Sequence, residues 1–176
     1  MSLGKIRCVE AHFGIPHFED KNNIRYSKDL GGGAMMDTLI YPLSFVFRIL
    51  GNAFIDFKST IFYDETTGVD ERGYIQFQYD EAVANISYGM GHSYRNEILV
   101  WTENAILKAD RVFSRPKTCE NPVEIISNGN DQKYWLSRAD HFSIMLSAFV
   151  EDITFGRSNS EGTLNRLRFI DELQKG

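Results

Sequence analysis

The spacing of hydrophobic positions changes along the chain, and each change predicts a different kind of element. Residues 34–50, AMMDTLIYPLSFVFRIL, carry apolar side chains on nearly every face, which predicts a buried helix that ends at Gly51. Pro42 lies inside this segment and lacks the N–H group that an α-helix uses, so we expect a bend just after Tyr41. This helix is therefore the predicted centre of the core.

On both sides of the helix, apolar residues follow the two-residue period of β-strands. An opening strand is predicted at residues 5–13, where Gly14 and Pro16 end it. The remaining predicted strands are residues 57–63, 74–79, 82–90, 97–101, 105–113, 123–127 and 133–136. Short polar turns, such as residues 128–131, predict that successive strands pair as an antiparallel meander.

Two amphipathic helices are predicted near the end of the chain, at residues 140–155 and 163–175, where apolar residues recur at three- and four-residue intervals. Strands flanked by helices predict an α+β fold, with a mostly antiparallel sheet of six or more strands and helices on one face. Tyr74, Gln76 and Gln78 should point to the other face. That partly aromatic surface is available for association, so we expect a homo-oligomer, either a dimer or a tetramer.

Composition and charge narrow the classes of function. The 176 residues are enough for one domain, and the formal net charge of -5, with Lys and Arg scattered, argues against a nucleic-acid partner. No run approaches the ~18 apolar residues that cross a bilayer, so no membrane partner is expected. Cys8 and Cys119 lack a paired spacing and indicate reduced thiols in a cytoplasmic protein. Residues 1–4 read as an expression scar, which leaves residues 5–176 as the domain.

Candidate chemistry is confined to the segment from Arg25 to Gly51. Asp37 and Tyr41 are four residues apart, which places a carboxylate and a phenol on one face of the helix. The phenol is protonated at neutral pH and can donate its proton when a hydride adds to a carbonyl, while Asp37 orients a hydroxyl. Each residue also has a structural alternative, since Tyr41 can pack in the core and Asp37 can stabilise the helix dipole.

Before this helix, the triplet Gly31, Gly32 and Gly33 allows the chain to approach a ligand closely. Free N–H groups at a helix start favour the binding of a cofactor phosphate, although the glycines can equally mark an ordinary loop. His12, His17 and His92 lack the spacing of a metal site, and no cysteine or carboxylate cluster accompanies them. No metal is therefore expected.

Residues 31–51, GGGAMMDTLIYPLSFVFRILG, resemble the signature helix of the C-terminal domain in the family of glucose-fructose oxidoreductase, inositol dehydrogenase and the rhizopine-catabolism protein. The resemblance implies an NAD(P)-dependent enzyme that acts on sugars, sugar nucleotides or polyols. It also places Tyr41 at the position of the family's proton donor and Asp37 at that of its substrate-contacting Asp. Arg25 matches a position where relatives often carry an Arg near the ligand.

The sequence contains neither a strand-GxGxxG-helix unit nor the Glu-Lys-Pro triplet of the family's first domain. The resemblance therefore implies that NAD or NADP and the active-site lysine belong to an N-terminal Rossmann domain that is absent here. We expect the substrate-binding half of an oxidoreductase that moves a hydride to or from a sugar or polyol carbon, inactive by itself. The alternative is a non-catalytic oligomerisation or ligand-binding module without a nucleotide domain.

Overall fold

A computed structural model describes residues 2–127, 129–157 and 160–175. Its strands are β1 (Ile6–Ile15), β2 (Asp56–Tyr63), β3 (Asp70–Gln78), β4 (Val83–Met90), β5 (Arg95–Thr102), β6 (Ile106–Asp110), β7 (Asn121–Ile126) and β8 (Gln132–Leu136). Its α-helices are α1 (Ile40–Leu50), α2 (His141–Thr154) and α3 (Ser160–Lys175). Two short 3-10 turns, Ile24–Tyr26 and Lys28–Leu30, and a π-helical turn, Met35–Leu39, precede α1.

All these strands join in one sheet, in the order β2-β3-β4-β1-β5-β6-β7-β8. Only the pairing of β1 with β4 is parallel, which confirms the prediction of an α+β fold with a mostly antiparallel sheet. The prediction of an uninterrupted meander is wrong, because β1 lies between β4 and β5. Val9 and Ala11 of β1 are fully buried, and a central position provides the neighbours on both sides that this burial needs.

Helices α1 and α3 supply the main apolar cover of the sheet, and the core lies between them and its strands. Leu43 and Val46 of α1 are fully buried, and α1 packs on β1 and β4. Phe169 of α3 joins a cluster of aromatic rings whose centroids lie 5.0 to 5.9 Å from it: Phe47, Phe54, Phe57 and Phe77. Ring pairs at these separations add to the stability that burial alone provides.

The period-two pattern of β3 has the predicted orientation. Ile75 and Phe77 are buried in the core, whereas Tyr74, Gln76 and Gln78 are exposed on the opposite face. We call that second surface of the sheet the open face, and no helix of the described chain covers these three residues.

The irregularity expected from Pro42 lies in the turn before it, not after Tyr41. Met35–Leu39 forms a π-helical turn, and α1 then begins at Ile40. Because proline has no N–H and its ring clashes with the carbonyl four residues earlier, the wider turn accommodates it. The helical stretch Lys28–Leu50 has the length and mean hydropathy of a membrane span, but Leu39 and Leu43 are fully buried in the core of the domain.

Helix α2 lies within the predicted range 140–155 and begins at the N-cap Asp140, whose side chain accepts the Ser143 N–H at 3.2 Å. None of its residues is buried, and Phe142 and Phe149 are 76% and 61% exposed. The apolar stripe that its sequence predicts is therefore uncovered, because the described residues provide no surface against it.

Helix α3 begins three residues earlier than predicted and is only partly packed. Ile170 and Leu173 of its predicted stripe are buried, whereas Leu164 and Leu167 are exposed. Cys8 and Cys119 are free thiols, as expected. Two predictions fall partly outside the described residues, namely the turn at residues 128–131, through Asn128, and the scar at residues 1–4, through Met1.

Candidate functional site

Arg25 and Asp37 form an ion pair where the loop after β1 meets the start of the helix. Arg25 Nε donates to Asp37 Oδ2 at 2.7 Å, and both side chains are partly exposed. The Arg25 guanidinium also lies 4.6 Å from the centroid of the Phe18 ring, a cation–π contact that fixes its plane. The hydrogen bond to Asp37 raises the pKa of Arg25, and electrostatic interactions with Asp37 and Tyr41 act in the same direction.

Tyr41 follows Asp37 by one turn and completes the group. Its ring packs edge-on against Phe13, with centroids 5.3 Å apart, and lies 6.2 Å from the ring of Phe113. The side chain stays 39% exposed, and among the described residues its hydroxyl has no hydrogen-bond partner. The phenol therefore combines a fixed apolar side with a hydroxyl that is available to a ligand.

The three residues predicted from the sequence, Arg25, Asp37 and Tyr41, are thus brought together by the structure. Asp37 belongs to the π-helical turn and Tyr41 to α1, so the two side chains leave the helix from turns of different width. Turns of this kind recur at functional sites because they move a side chain out of its regular helical direction.

A buried carboxylate that the sequence did not reveal holds the start of the helix. Asp70, the first residue of β3, is 4% exposed, and its Oδ2 accepts the Met35 N–H at 2.6 Å. Burial raises the pKa of Asp70 to about 6, although hydrogen bonds from backbone N–H groups, including those of Met35 and Ala34, lower it. Asp70 lies far along the chain from the glycines, and no spacing in the sequence indicates this contact.

Part of the glycine triplet packs closely against the Asp70 carboxylate that caps the start of the helix. A Cβ at Gly33, where φ is +119°, would lie 2.0 Å from Asp70 Oδ1, and one at Gly32 would lie 2.6 Å from the Arg25 carbonyl oxygen. The N–H groups of Gly32 and Gly33 donate to the carbonyls of Ser27 and Arg25. The close approach that these glycines allow is therefore to the chain itself, and the binding of a cofactor by Gly31, Gly32 and Gly33 stays a prediction.

Phe13 and Phe113 also belong to the site, and sequence reasoning missed both of them. Phe13 ends the predicted first strand, where it resembles any core aromatic residue. Phe113 follows β6 in a loop, and only the folded chain brings it to Tyr41.

Two other features bear on the chemistry. Within residues 2–127, 129–157 and 160–175, no group of three His, Cys, Asp or Glu side chains is placed to hold a metal ion. A depression of about 420 Å³ lies on the open face, where His12, Tyr74 and Ser87 contribute to its lining. Because Phe13, which contacts Tyr41, points to the core side of the same sheet, this depression is separate from the Arg25–Asp37–Tyr41 group.

Comparison with known proteins gives consistent matches over the whole chain. Residues 1–108 match the profile of the GFO/IDH/MocA C-terminal domain. The dTDP-3,4-didehydro-2,6-dideoxy-alpha-D-glucose 3-reductase of Saccharopolyspora spinosa is 30% identical over 155 residues, which are 88% of this chain and 46% of the relative. The enzyme of the same name from Actinomadura kijaniata is 28% identical over 179 residues, covering 99% of this chain and 53% of the relative.

A solved structure supports the same relationship. The crystal structure of a 3-ketoreductase from Actinomadura kijaniata, in complex with NADP and TDP-benzene, superposes with a TM-score of 0.90 at 26% sequence identity. The match covers 98% of this chain and 54% of that one. The chain therefore spans about half the length of the relatives that it matches.

Proposed function

Because the chain belongs to the GFO/IDH/MocA C-terminal domain family, we propose that it is the substrate-binding half of an NAD(P)-dependent oxidoreductase. The reaction moves a hydride to or from a carbon of a sugar nucleotide, a sugar or a polyol. The observation that carries this proposal is the Arg25–Asp37–Tyr41 group, in which a phenol that no described residue hydrogen-bonds lies one turn from an ion pair.

Tyr41 is assigned the proton transfer. A ketone gains a hydride and a proton when it becomes an alcohol, and a phenol with an ordinary pKa near 10 holds a proton to give at neutral pH. The rings of Phe13 and Phe113 limit the directions that the phenol can take. In the reverse direction, the deprotonated oxygen of Tyr41 takes up the hydroxyl proton of the alcohol as the hydride leaves the carbon.

Arg25 and Asp37 are assigned to substrate orientation. Their ion pair leaves both side chains partly exposed beside Tyr41, so hydroxyl groups of a sugar can donate to the carboxylate and accept from the guanidinium. Ion pairing with Arg25 also restricts the rotamers of Asp37, which reduces the entropy lost when a substrate binds.

The nucleotide cofactor is assigned to the half of the relatives that this chain does not span. A pyrophosphate needs free N–H donors at a helix start. Here the Met35 N–H donates to Asp70 and the Gly33 N–H donates to the Arg25 carbonyl, so a phosphate would compete with a buried carboxylate. These donors are already engaged within the chain, which is why we assign the pyrophosphate to the other half. The uncovered apolar side chains of α2 also support an incomplete unit, because a helix of this composition is normally buried.

The relatives favour a sugar nucleotide as the substrate. The relatives from Saccharopolyspora spinosa and Actinomadura kijaniata carry the name dTDP-3,4-didehydro-2,6-dideoxy-alpha-D-glucose 3-reductase, and the solved relative was crystallised with TDP-benzene and NADP. We extend this substrate class to the present chain, with reduction of a keto sugar as the reaction. We further propose that the protein is cytoplasmic and that the open face joins copies of it into a dimer or tetramer.

The first experiment is a comparison of variants in the complete protein that contains this chain, assayed with NADPH and a dTDP-linked keto sugar. We expect Tyr41→Phe to lower kcat by about a hundredfold or more, because it removes the proton donor and keeps the ring. Tyr63→Phe is the matched control, since Tyr63 is also exposed but lies on β2 outside the site. An unchanged rate in Tyr41→Phe would remove Tyr41 from the mechanism, whereas an inactive wild-type protein in this assay would leave the non-catalytic module as the better hypothesis.

A further inference from the structure

Phe113 lies in the loop between β6 and β7, and this loop has an unusual backbone. Arg111 and Ser114, on either side of Phe113, both have a φ of 50°, a left-handed conformation that residues with a Cβ rarely adopt. Such conformations persist only where surrounding contacts enforce them, and they concentrate at functional sites. The contacts that hold this loop therefore indicate what it does.

Asn96 of β5 supplies those contacts and is itself 5% exposed. Its Nδ2 donates to the Phe113 carbonyl at 2.6 Å, and its Oδ1 accepts the Phe113 N–H at 2.9 Å. The backbone carbonyl of Asn96 accepts the Arg111 N–H. A carboxamide carries both a donor and an acceptor, so one side chain clamps both backbone groups of Phe113.

The ring of Phe113, whose backbone Asn96 holds, packs beside Tyr41. The Phe113 ring is 7% exposed and lies 5.7 Å from the ring of Phe13 and 6.2 Å from that of Tyr41. Phe13 stands directly opposite Asn96 in the pairing of β1 with β5. The Tyr41 hydroxyl has no hydrogen-bond partner in the described chain, so packing against these two rings restricts the phenol where no hydrogen bond does.

We propose that Asn96 is a positioning residue for Tyr41, which it orients by clamping the backbone of Phe113. No hydrogen bond joins Asn96 to Tyr41 in the described chain, so its effect passes through the rings that pack on Tyr41, above all that of Phe113. The orientation of the phenol is a property of this chain alone, whereas its effect on turnover rests on the proposed function. The two consequences are therefore tested separately.

The first test uses NMR of the 176-residue chain with ¹³C-labelled tyrosine rings. The Tyr41 signals are assigned from their loss in Tyr41→Phe. In Asn96→Leu, they should shift toward those of a solvent-exposed tyrosine. Thr102→Val is the matched control, because Thr102 is also buried on β5 and hydrogen-bonded to a backbone carbonyl, but lies at the opposite end of the strand.

Phe113→Leu is the second variant, and it covers the case in which Asn96→Leu fails to fold. It keeps the hydrogen bonds between Asn96 and the backbone of residue 113 but removes the ring, so the Tyr41 signals should shift again. If the Tyr41 signals stay at their wild-type positions in either folded variant, Phe113 does not orient the phenol and the proposal is overturned.

The second test measures turnover in the complete protein. Asn96→Leu should lower kcat by roughly ten- to a hundredfold while KM changes less than twofold, because a misplaced proton donor affects the chemical step more than binding. Asn96→Asp keeps the acceptor for the Phe113 N–H and loses the donor, so its kcat should lie between that of the wild type and that of Asn96→Leu. A full loss in Tyr41→Phe beside an unchanged kcat in Asn96→Leu overturns the positioning role. Full activity in Tyr41→Phe instead contradicts the proposed function, and the NMR result still stands.

Discussion

Among single residues, Asp70 shows how a buried charge can organise a surface site without touching it. Its carboxylate accepts the Met35 N–H at 2.6 Å, and the turn that begins there carries Asp37. The Tyr88 hydroxyl is buried without a partner in the described chain, and burial together with the charges of Asp70 and Tyr63 raises the pKa of Tyr88. A charged Asp70 thus has helix N–H groups on one side and a poorly solvated interior around it.

This arrangement predicts a specific dependence of stability on pH. The pKa of Asp70 rises from 3.8 to about 6 on folding, so its contribution to stability is fully present below pH 3.8 and is lost as the pH rises through 6. At 1.36 kcal/mol per pKa unit, the loss is about 3 kcal/mol. Asp70→Asn is neutral throughout, so urea unfolding should show the wild type losing about that much relative to the variant between pH 4 and pH 7. A constant difference across this range would contradict the prediction.

At the scale of elements, the start of the helix that carries Tyr41 depends on three structural features that fit one another. The glycine triplet allows the chain to pack against Asp70 of β3, and Asp70 caps the helix. The wider π-helical turn Met35–Leu39 accommodates Pro42, which has no N–H. Each feature shifts the direction in which Asp37 leaves the helix. A change in one of them should therefore disturb the Arg25–Asp37 ion pair even when the side chains of that pair are intact.

The glycines provide a matched pair of variants that tests this view. Gly31 and Gly33 both have positive φ, at +71° and +119°, but a Cβ meets nothing within 4 Å at Gly31 and lies 2.0 Å from Asp70 Oδ1 at Gly33. Gly31→Ala should cost about 1 kcal/mol of unfolding free energy, for its backbone alone. Gly33→Ala should cost at least about 3 kcal/mol, because the carboxylate must move. Equal losses in urea unfolding would show that the Asp70 contact is not tight.

At the scale of the whole molecule, the open face and helix α2 both leave apolar side chains uncovered by the described residues, and the two surfaces differ in kind. The open face combines aromatic residues such as Trp101, 56% exposed, with charged and amide groups, a mixture typical of subunit interfaces. Helix α2 is apolar along its length, with Phe149 61% exposed, which is typical of an element buried inside a larger chain. We therefore propose that copies associate through the open face and that α2 contacts the part of the relatives that this chain does not span.

Charged substitutions on the two surfaces should separate these assignments. We expect Trp101→Lys to weaken self-association by at least about 2 kcal/mol, or about thirtyfold in Kd, because it replaces an exposed aromatic side chain of the open face with a charged one. Phe149→Lys should leave self-association unchanged. Sedimentation velocity over a range of protein concentrations measures both variants. If only Phe149→Lys dissociates the oligomer, α2 is the contact between copies.

The sequence by itself determined the elements and the chemistry of the site. The spacing of its hydrophobic residues predicted the helices and most strands, because buried side chains recur about every 3.6 residues in a helix and every two residues in a strand. The four-residue spacing put Asp37 and Tyr41 on one helix, and the glycine triplet marked where that helix starts.

Only the tertiary structure decided the contacts between residues distant along the chain. It inserted β1 between β4 and β5, brought Asp70 under Met35, and held Phe113 against Tyr41 through Asn96. These contacts depend on strand order and loop path, which arise when the whole chain buries its apolar surface at once. A local pattern carries no information about which distant residue will fill a given space, so the side chains that hold the site in place became visible only in the folded protein.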